Sequence, residues 1–225
     1  ILMSQLLPQT LEFLENLAIN NNKPWFEANR KVYDAARKNY EGFAEELLQH
    51  IAEFDDLGDL KLKDAMFRIN RDVRFSADKS PYKRNFSSVI VKGGKKAIRA
   101  PYYFHLQPNA SFLGGGFWAP EPATLATIRQ EIDYNSERFL GIINEPEFKK
   151  LFPTLGGEKL SRPPKGYEAE NAMIEYIKHK SIVVTYTYTN KEVTSAGFVK
   201  KLAQHCKVMK PLLDFLNEPL TTDSV

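Results

Sequence analysis

Residues 66 to 85 read MFRINRDVRFSADKSPYKRN, the part of the chain where residue types and spacing could do chemistry. Arg68, Arg71 and Arg74 fall within seven residues, interleaved with Phe67, Ile69, Val73 and Phe75. In an extended chain Arg68, Asn70, Asp72 and Arg74 share one face, and Ile69, Arg71, Val73 and Phe75 the other. In a helix Arg68, Arg71 and Phe75 align instead. Either geometry crowds at least two guanidinium groups, and like charges about 6 Å apart cost roughly 2–3 kcal/mol at an effective dielectric near 20. Crowding of that kind calls for carboxylates or a bound anion. Asp72 and Asp78 are the local carboxylates, which leaves Lys79, Lys83 and Arg84 over. Ser80-Pro81 imposes a non-helical turn that can return Tyr82 and Lys83 toward the arginines.

Arginine grips phosphate or carboxylate with two parallel bonds, lysine adds a mobile charge, and a tyrosine hydroxyl donates one bond more. Arg68, Arg71, Arg74, Asp78, Lys79 and Lys83 are therefore the ligand-binding candidates. Asp72 is the candidate acid, base or orienting group, with Tyr82 beside it. The same residue types also build structural ion-pair networks that tie a loop to a core, so both readings stand at this point.

The segment also carries a family resemblance. Arg68, Arg71, Asp72, Arg74, Phe75, Asp78, Lys79 and Tyr82 match Arg-x-x-Arg-Asp-x-Arg-Phe, followed after two residues by Asp or Asn, Lys, two residues and Tyr. This resembles the signature of a bacterial and fungal family known as a domain of unknown function. The similarity extends from about Leu7 to Leu220 and takes in residues 21–26, 114–118 and 162–167. It implies that the arginine segment is the family's hallmark, and it brings no reaction, cofactor or catalytic residue with it.

Elsewhere the candidates are sparse. His105 shares a strand face with Tyr103, with Phe104 and Leu106 opposite, and is a third catalytic candidate in need of a partner. His50, His179 and His205 lie in helical, Lys- or Gln-rich surroundings and read as solvated. The loop Arg162-Pro163-Pro164-Lys165-Gly166-Tyr167 is stiff and basic. The chain has no HExxH, EF-hand loop, Walker or dinucleotide fingerprint and no nucleophile elbow. No metal site and no cofactor are expected. Cys206 is the single cysteine, on an apolar helix stripe, so it reads as an inert core thiol.

Charge is unevenly spread. Between Lys61 and Arg99 twelve Lys and Arg face three acids, a net +9 in a chain of +3 overall. Lys92, Lys95, Lys96 and Arg99 flank Gly93-Gly94, which reads as a solvated hairpin turn. A basic window suits an acidic partner. Three functions follow: binding or processing of a small phosphorylated or carboxylated anion; an interaction module whose arginines are structural; and nucleic-acid binding, with Phe75, Tyr82, Phe86, Tyr102 and Tyr103 as stacking surfaces. No run of 18 apolar residues is present, so no membrane span is expected. Ile1 to Leu7 lacks the basic start and apolar core of a signal peptide, and Met3 reads as the natural start. A cytoplasmic location is the expectation.

The elements that must position these residues read as α+β. Thr10 caps a first helix, Pro24 opens a long one whose apolar stripe runs from Phe26 to Phe54, and the N-terminal helical part covers about 8–55. A meander follows over about 86–118, with strands at Phe86–Val91, Pro101–Leu106 and Ser111–Trp118. Gly114-Gly115-Gly116 inside the last strand implies a bulge or a close neighbour. Helices follow Pro122, resume after Asn135-Ser136, and recur at Ala172–Lys178. Ser181 to Thr189, nearly all β-branched or aromatic, is a further strand, and a C-terminal helix with Pro211 inside it covers about 195–217. The absence of a linker predicts one domain over 1–225, with a central antiparallel sheet flanked by long N- and C-terminal helices.

Overall fold

Leu11, Leu14 and Leu17 recur on one side of α1 (Pro8–Ile19), which packs on α3 (Arg30–Ala52) through the stripe Tyr33, Tyr40, Phe43 and Leu47. These are the first elements of the computed structural model, which describes residues 4–220; Ile1-Leu2-Met3, with the proposed start, and residues 221–225 lie outside the described residues. Thr10 is not the cap. It is buried inside the first turn, and its hydroxyl donates to Asn39 Oδ1 at 2.7 Å while Leu7 takes the cap position.

The expected long helix after Pro24 is two. The short α2 (Lys23–Ala28) is capped by Asn22, whose side chain accepts from the Trp25 amide at 2.9 Å. It ends at Asn29, where the carboxamide donates to the Trp25 carbonyl at 2.9 Å. A side chain that bonds its own backbone competes with the helix ladder, and that competition breaks the stripe here.

After α4 (Leu62–Ala65) comes the sheet: β1 (Phe86–Ile90), β2 (Tyr102–Leu106), β3 (Ser111–Phe117) and β4 (Ile182–Tyr188), antiparallel and in that order. The remaining helices are α5 (Pro122–Tyr134), α6 (Ser136–Ile143), α7 (Pro146–Leu151), α8 (Ile174–Ile177), α9 (Asn190–Val193) and α10 (Phe198–Asn217). The class is α+β. The link from β1 to β2 is no tight hairpin: Gly93 is left-handed and a 3₁₀ turn at Gly94–Lys96 follows. Lys95 is not simply solvated, because its ammonium donates to the carbonyls of Lys63 and Met66.

The chain divides into two compact units. The first runs to Ala97 and adds Tyr103–Leu113 and Thr187–Gln204; the second holds Ile98–Tyr102, Gly114–Tyr186 and the chain from His205. In the first, period-two alternation sorts the strands. Phe86, Ile90, Phe104 and Leu106 are buried, Phe86 against Tyr40 and Phe104 against Phe43 of α3, each such side chain worth about 1.5–3 kcal/mol on burial. Ser88, on the same side, bonds the Tyr40 hydroxyl at 3.0 Å. Ser87, Tyr103, His105 and Phe112 take the other face.

In the second unit Ile128, Ile132, Phe139, Phe215 and Met209 form the core. Asn217 closes it by pairing both backbone groups of Ala100, accepting from the amide at 2.7 Å and donating to the carbonyl at 3.1 Å. His179 and His205 are buried, against the expectation of solvated rings; His205 meets the Tyr186 ring edge-on, with centroids 4.8 Å apart.

The glycine run in β3 is explained by close approach. A Cβ on Gly115 would strike the Met209 thioether, and one on Gly116 would strike the Ile182 carbonyl of β4. Gly116 also has φ +113°, a region closed to other residues. Gly116→Ala is accordingly expected to cost about 2–5 kcal/mol from overpacking and backbone strain together. Gly115→Ala should cost less, since a thioether can bend away. Gly141→Ala, in α6 with nothing near its Cβ, should be neutral or stabilising. Chemical denaturation of the three variants checks this ranking.

Candidate functional site

The arginine segment is extended. Met66 bridges Ser88 and Asn70 bridges Tyr82, both antiparallel. Between and beyond them the Phe67 amide donates to Ser87 O at 3.1 Å, Lys83 N to Ile69 O at 2.8 Å, and Arg71 N to Pro81 O at 2.9 Å. Residues 66–71 thus add an outer extended segment beside β1 and its lead-in, and residues 72–80 form the loop that joins them. The first of the two geometries open to the sequence is the one adopted.

Within the loop the charges satisfy one another. Arg71, half-buried, donates to Asp78 Oδ2 at 2.7 Å, to the Ser80 carbonyl at 3.0 Å and to Ser76 Oγ at 3.2 Å. Asp78 also accepts from the Ser80 amide and hydroxyl, and these bonds, with Arg71 behind them, pull its carboxyl down to about 2. Arg74 grips Asp72 with two bonds, 2.9 and 2.6 Å, at the exposed loop tip. That grip holds the Asp72 carboxyl below its ordinary value, which suits an orienting group better than a proton carrier near neutrality. Lys79 donates to the Val73 carbonyl at 3.0 Å. Phe75 stands 97% exposed with the Arg74 guanidinium 5.9 Å from its ring centre.

Arg68 and Lys83 are arranged differently. Lys83 Nζ lies 4.9 Å from the centre of the Phe67 ring and Lys95 Nζ 5.7 Å from it. Burial lowers the Lys83 pKa, and the nearby positive charges of Arg68 and Lys95 lower it further. None of these three cations forms an ion pair with a carboxylate among the described residues. Arg68, Lys95 and Phe67 line a cleft of about 600 Å³ with Arg37, Glu41 and Leu62. Arg37 and Glu41 pair with each other at 2.8 Å across one turn of α3.

Tyr82 is turned away from the arginines. Its ring stacks on Phe26 with centroids 4.0 Å apart, burial and the Glu27 charge raise its pKa, and Asn21 brackets its backbone with two 3.0 Å bonds. The direction follows from alternation: Tyr82 and Lys83 are neighbours in an extended chain and so face opposite ways.

His105 has the company that sequence alone could not supply. Tyr103 Oη lies 2.9 Å from His105 Nδ1, and Gln107 Oε1 lies 3.0 Å from Nε2. Burial lowers the His105 pKa against the opposing pull of Gln107, and burial raises that of Tyr103. Phe67 reaches this row edge-on, its centroid 6.5 Å from that of Tyr103. The Arg162–Tyr167 loop belongs to the second unit. Lys95 and Gln107 were missed as site residues, while alternation had already placed Tyr103 on the His105 face. Alternation along β2 could have found Gln107 as well, but nothing local signals Lys95. No group of His, Cys, Asp and Glu that could hold a metal occurs among the described residues, and no helix there is long and apolar enough to cross a membrane.

Because Arg71 is the buckle of the loop, Arg71→Ala is expected to free residues 72–80, seen as faster proteolysis there with little change in the global unfolding midpoint. The wild-type loop should loosen in acid. The folded Asp78 carboxyl lies below its ordinary 3.8, so its contribution is complete above that value and is lost as pH falls through about 2. Amide exchange of residues 72–80 between pH 5 and 2 measures it.

No curated protein and no solved structure matches this chain. A family model does, over residues 9–215, nearly the whole sequence. The chain belongs to the DUF2461 family of conserved hypothetical proteins.

Proposed function

We propose that the protein binds a small phosphorylated or carboxylated molecule at the cleft edge where Arg68, Lys83 and Lys95 gather around Phe67. The observation that carries this reading is that no member of the cluster pairs with a carboxylate among the described residues. Two lysine ammoniums share one aromatic ring, and the half-buried Lys83 is disfavoured as a cation by burial and by the nearby charges of Arg68 and Lys95. A bound anion offsets those penalties, favouring the charged form of Lys83 and giving the guanidinium of Arg68 a two-oxygen partner. The volume of about 600 Å³ falls within the range of small-molecule sites. Within this reading Arg71, Asp78, Arg74 and Lys79 shape the loop beside the site, and Asp72 orients Arg74.

A second reading, an interaction module with a structural arginine network, draws on the loop itself, where Arg71 and Arg74 already have partners. The two readings separate by variant. Thermal stability against phosphate, pyrophosphate, nucleotides, sugar phosphates and dicarboxylates at matched ionic strength is the measurement. A ligand at about 100 times its dissociation constant adds about 2.7 kcal/mol, a rise of roughly 5–10 °C for a chain of this size. The rise is expected from one compound class, lost in Arg68→Ala and Lys83→Ala and kept in Arg74→Ala. No rise with any compound would leave the interaction module as the better account. Binding of short RNA or DNA with a steep salt dependence would point to nucleic acid instead.

A further inference from the structure

The solvent-side face of β2 carries a hydrogen-bonded row that anion binding does not use. A carboxamide oxygen accepts and cannot donate, so Gln107 Oε1, 3.0 Å from His105 Nε2, fixes the imidazole proton on that nitrogen. Nδ1 of the neutral ring is then a bare lone pair, and the Tyr103 hydroxyl 2.9 Å away donates into it. Burial lowers the pKa of the ring, which favours the neutral form that a proton acceptor needs. Its product would also be stabilised: Phe112 of β3 stacks on the imidazole with centroids 4.8 Å apart, and an aromatic face favours an imidazolium.

The groups facing the ring are few. Tyr103 and Gln107 flank it on its own strand and Phe112 faces it from β3. On the β1 side Ser87 bonds Tyr103. Lys83 and Lys95 lie on the Phe67 ring, whose centre is 6.5 Å from that of Tyr103. A satisfied strand histidine would show the same bonds, but not their position beside a cluster of unpaired cations.

We propose that Tyr103 and His105 form a proton-accepting relay for the molecule held at Arg68, Lys83 and Lys95, which must then carry an ionisable hydrogen near its phosphate or carboxylate. The inference rests on the anion site proposed above. In the step, the ligand's X–H bond breaks and its proton joins the Tyr103 oxygen, while the Tyr103 hydroxyl proton passes to His105 Nδ1. Tyrosine ends neutral, His105 ends as imidazolium with Nε2–H still on Gln107, and the ligand gains one negative charge opposite Arg68 and Lys83. Run backwards, the same relay protonates. Tyr103 is the catalytic residue; His105 acts through it and stores the proton, and Gln107 positions the ring.

The test is nuclear magnetic resonance of the full chain with labelled histidine, read in two arms. Without ligand, His105 is expected as the Nε2–H tautomer, titrating below 6.5, with its Nδ1 shift altered in Tyr103→Phe. With pyrophosphate as the probe, the amides of Phe67 and Lys83 should shift in wild type and in Tyr103→Phe alike. The His105 pKa should rise on binding in wild type. An Nδ1–H tautomer, or a His105 pKa unmoved by pyrophosphate that does shift those amides, overturns the relay and leaves the anion site standing. If pyrophosphate shifts neither amide, the anion site falls and the relay with it.

Discussion

The antiparallel pairing of residues 66–71 with residues 81–88 is the constraint on which the candidate site depends. It is made of few backbone bonds: Phe67 to Ser87, Lys83 to Ile69 and Arg71 to Pro81. Because strand side chains alternate, fixing this register decides every direction at once. Met66, Ser88 and Phe86 go to the core, and Phe67, Lys83 and Ser87 to the other face. A slip of one residue would bury Lys83 and expose Phe86. Two side chains hold the register from outside the ladder. Asn21 bonds both backbone groups of Tyr82, and Arg71 ties the loop through Asp78, Ser76 and Ser80.

That register explains how one basic segment serves two purposes. In the loop 72–80 each charge is met locally, and the resulting pairs are exposed enough to contribute little net stability, so their role is shape. At the cleft edge no carboxylate pairs with Arg68 or Lys83 among the described residues, and Lys95, anchored on the carbonyls of Lys63 and Met66, adds a third positive charge beside them. Folding that gathers like charges without compensation works against stability, and a perturbed cation at the edge of a cleft is what marks this place as a candidate site.

Much of the fold was legible in the sequence because strand alternation is a local signal. The three meander strands and the one near residue 185 fall within a residue or two of their expected limits. The glycine run was read as needing a bulge or a close neighbour, and Met209 and Ile182 are close neighbours. Local bonding misled in two places: Thr10 spends its hydroxyl on Asn39 rather than on a cap, and Asn29 breaks a stripe whose periodicity runs on without interruption. The candidate site was half legible. Arg68 and Lys83 stood out by type and spacing, whereas Lys95 enters from a turn nearly thirty residues away and Arg37 from the first long helix. Tyr82 was drawn toward the arginines by its nearness in sequence, but alternation and Phe26 take it the other way.

The contrast between Asp72 and His105 shows how surroundings, more than residue type, select a proton carrier. Asp72 has the richer sequence context, inside the arginine run. Yet a carboxylate clasped by two guanidinium bonds is stabilised in its charged form, and near neutrality it neither gives nor takes a proton readily. His105 has a plain sequence context, one ring in an aromatic strand. Burial shifts it toward the neutral form, Gln107 assigns its tautomer, and Tyr103 extends its reach toward Phe67 and the two lysines. Proton chemistry needs a group that is unoccupied at working pH and aligned with a donor. On that criterion the sheet face, more than the arginine-rich loop, is where a reaction in this fold would be centred.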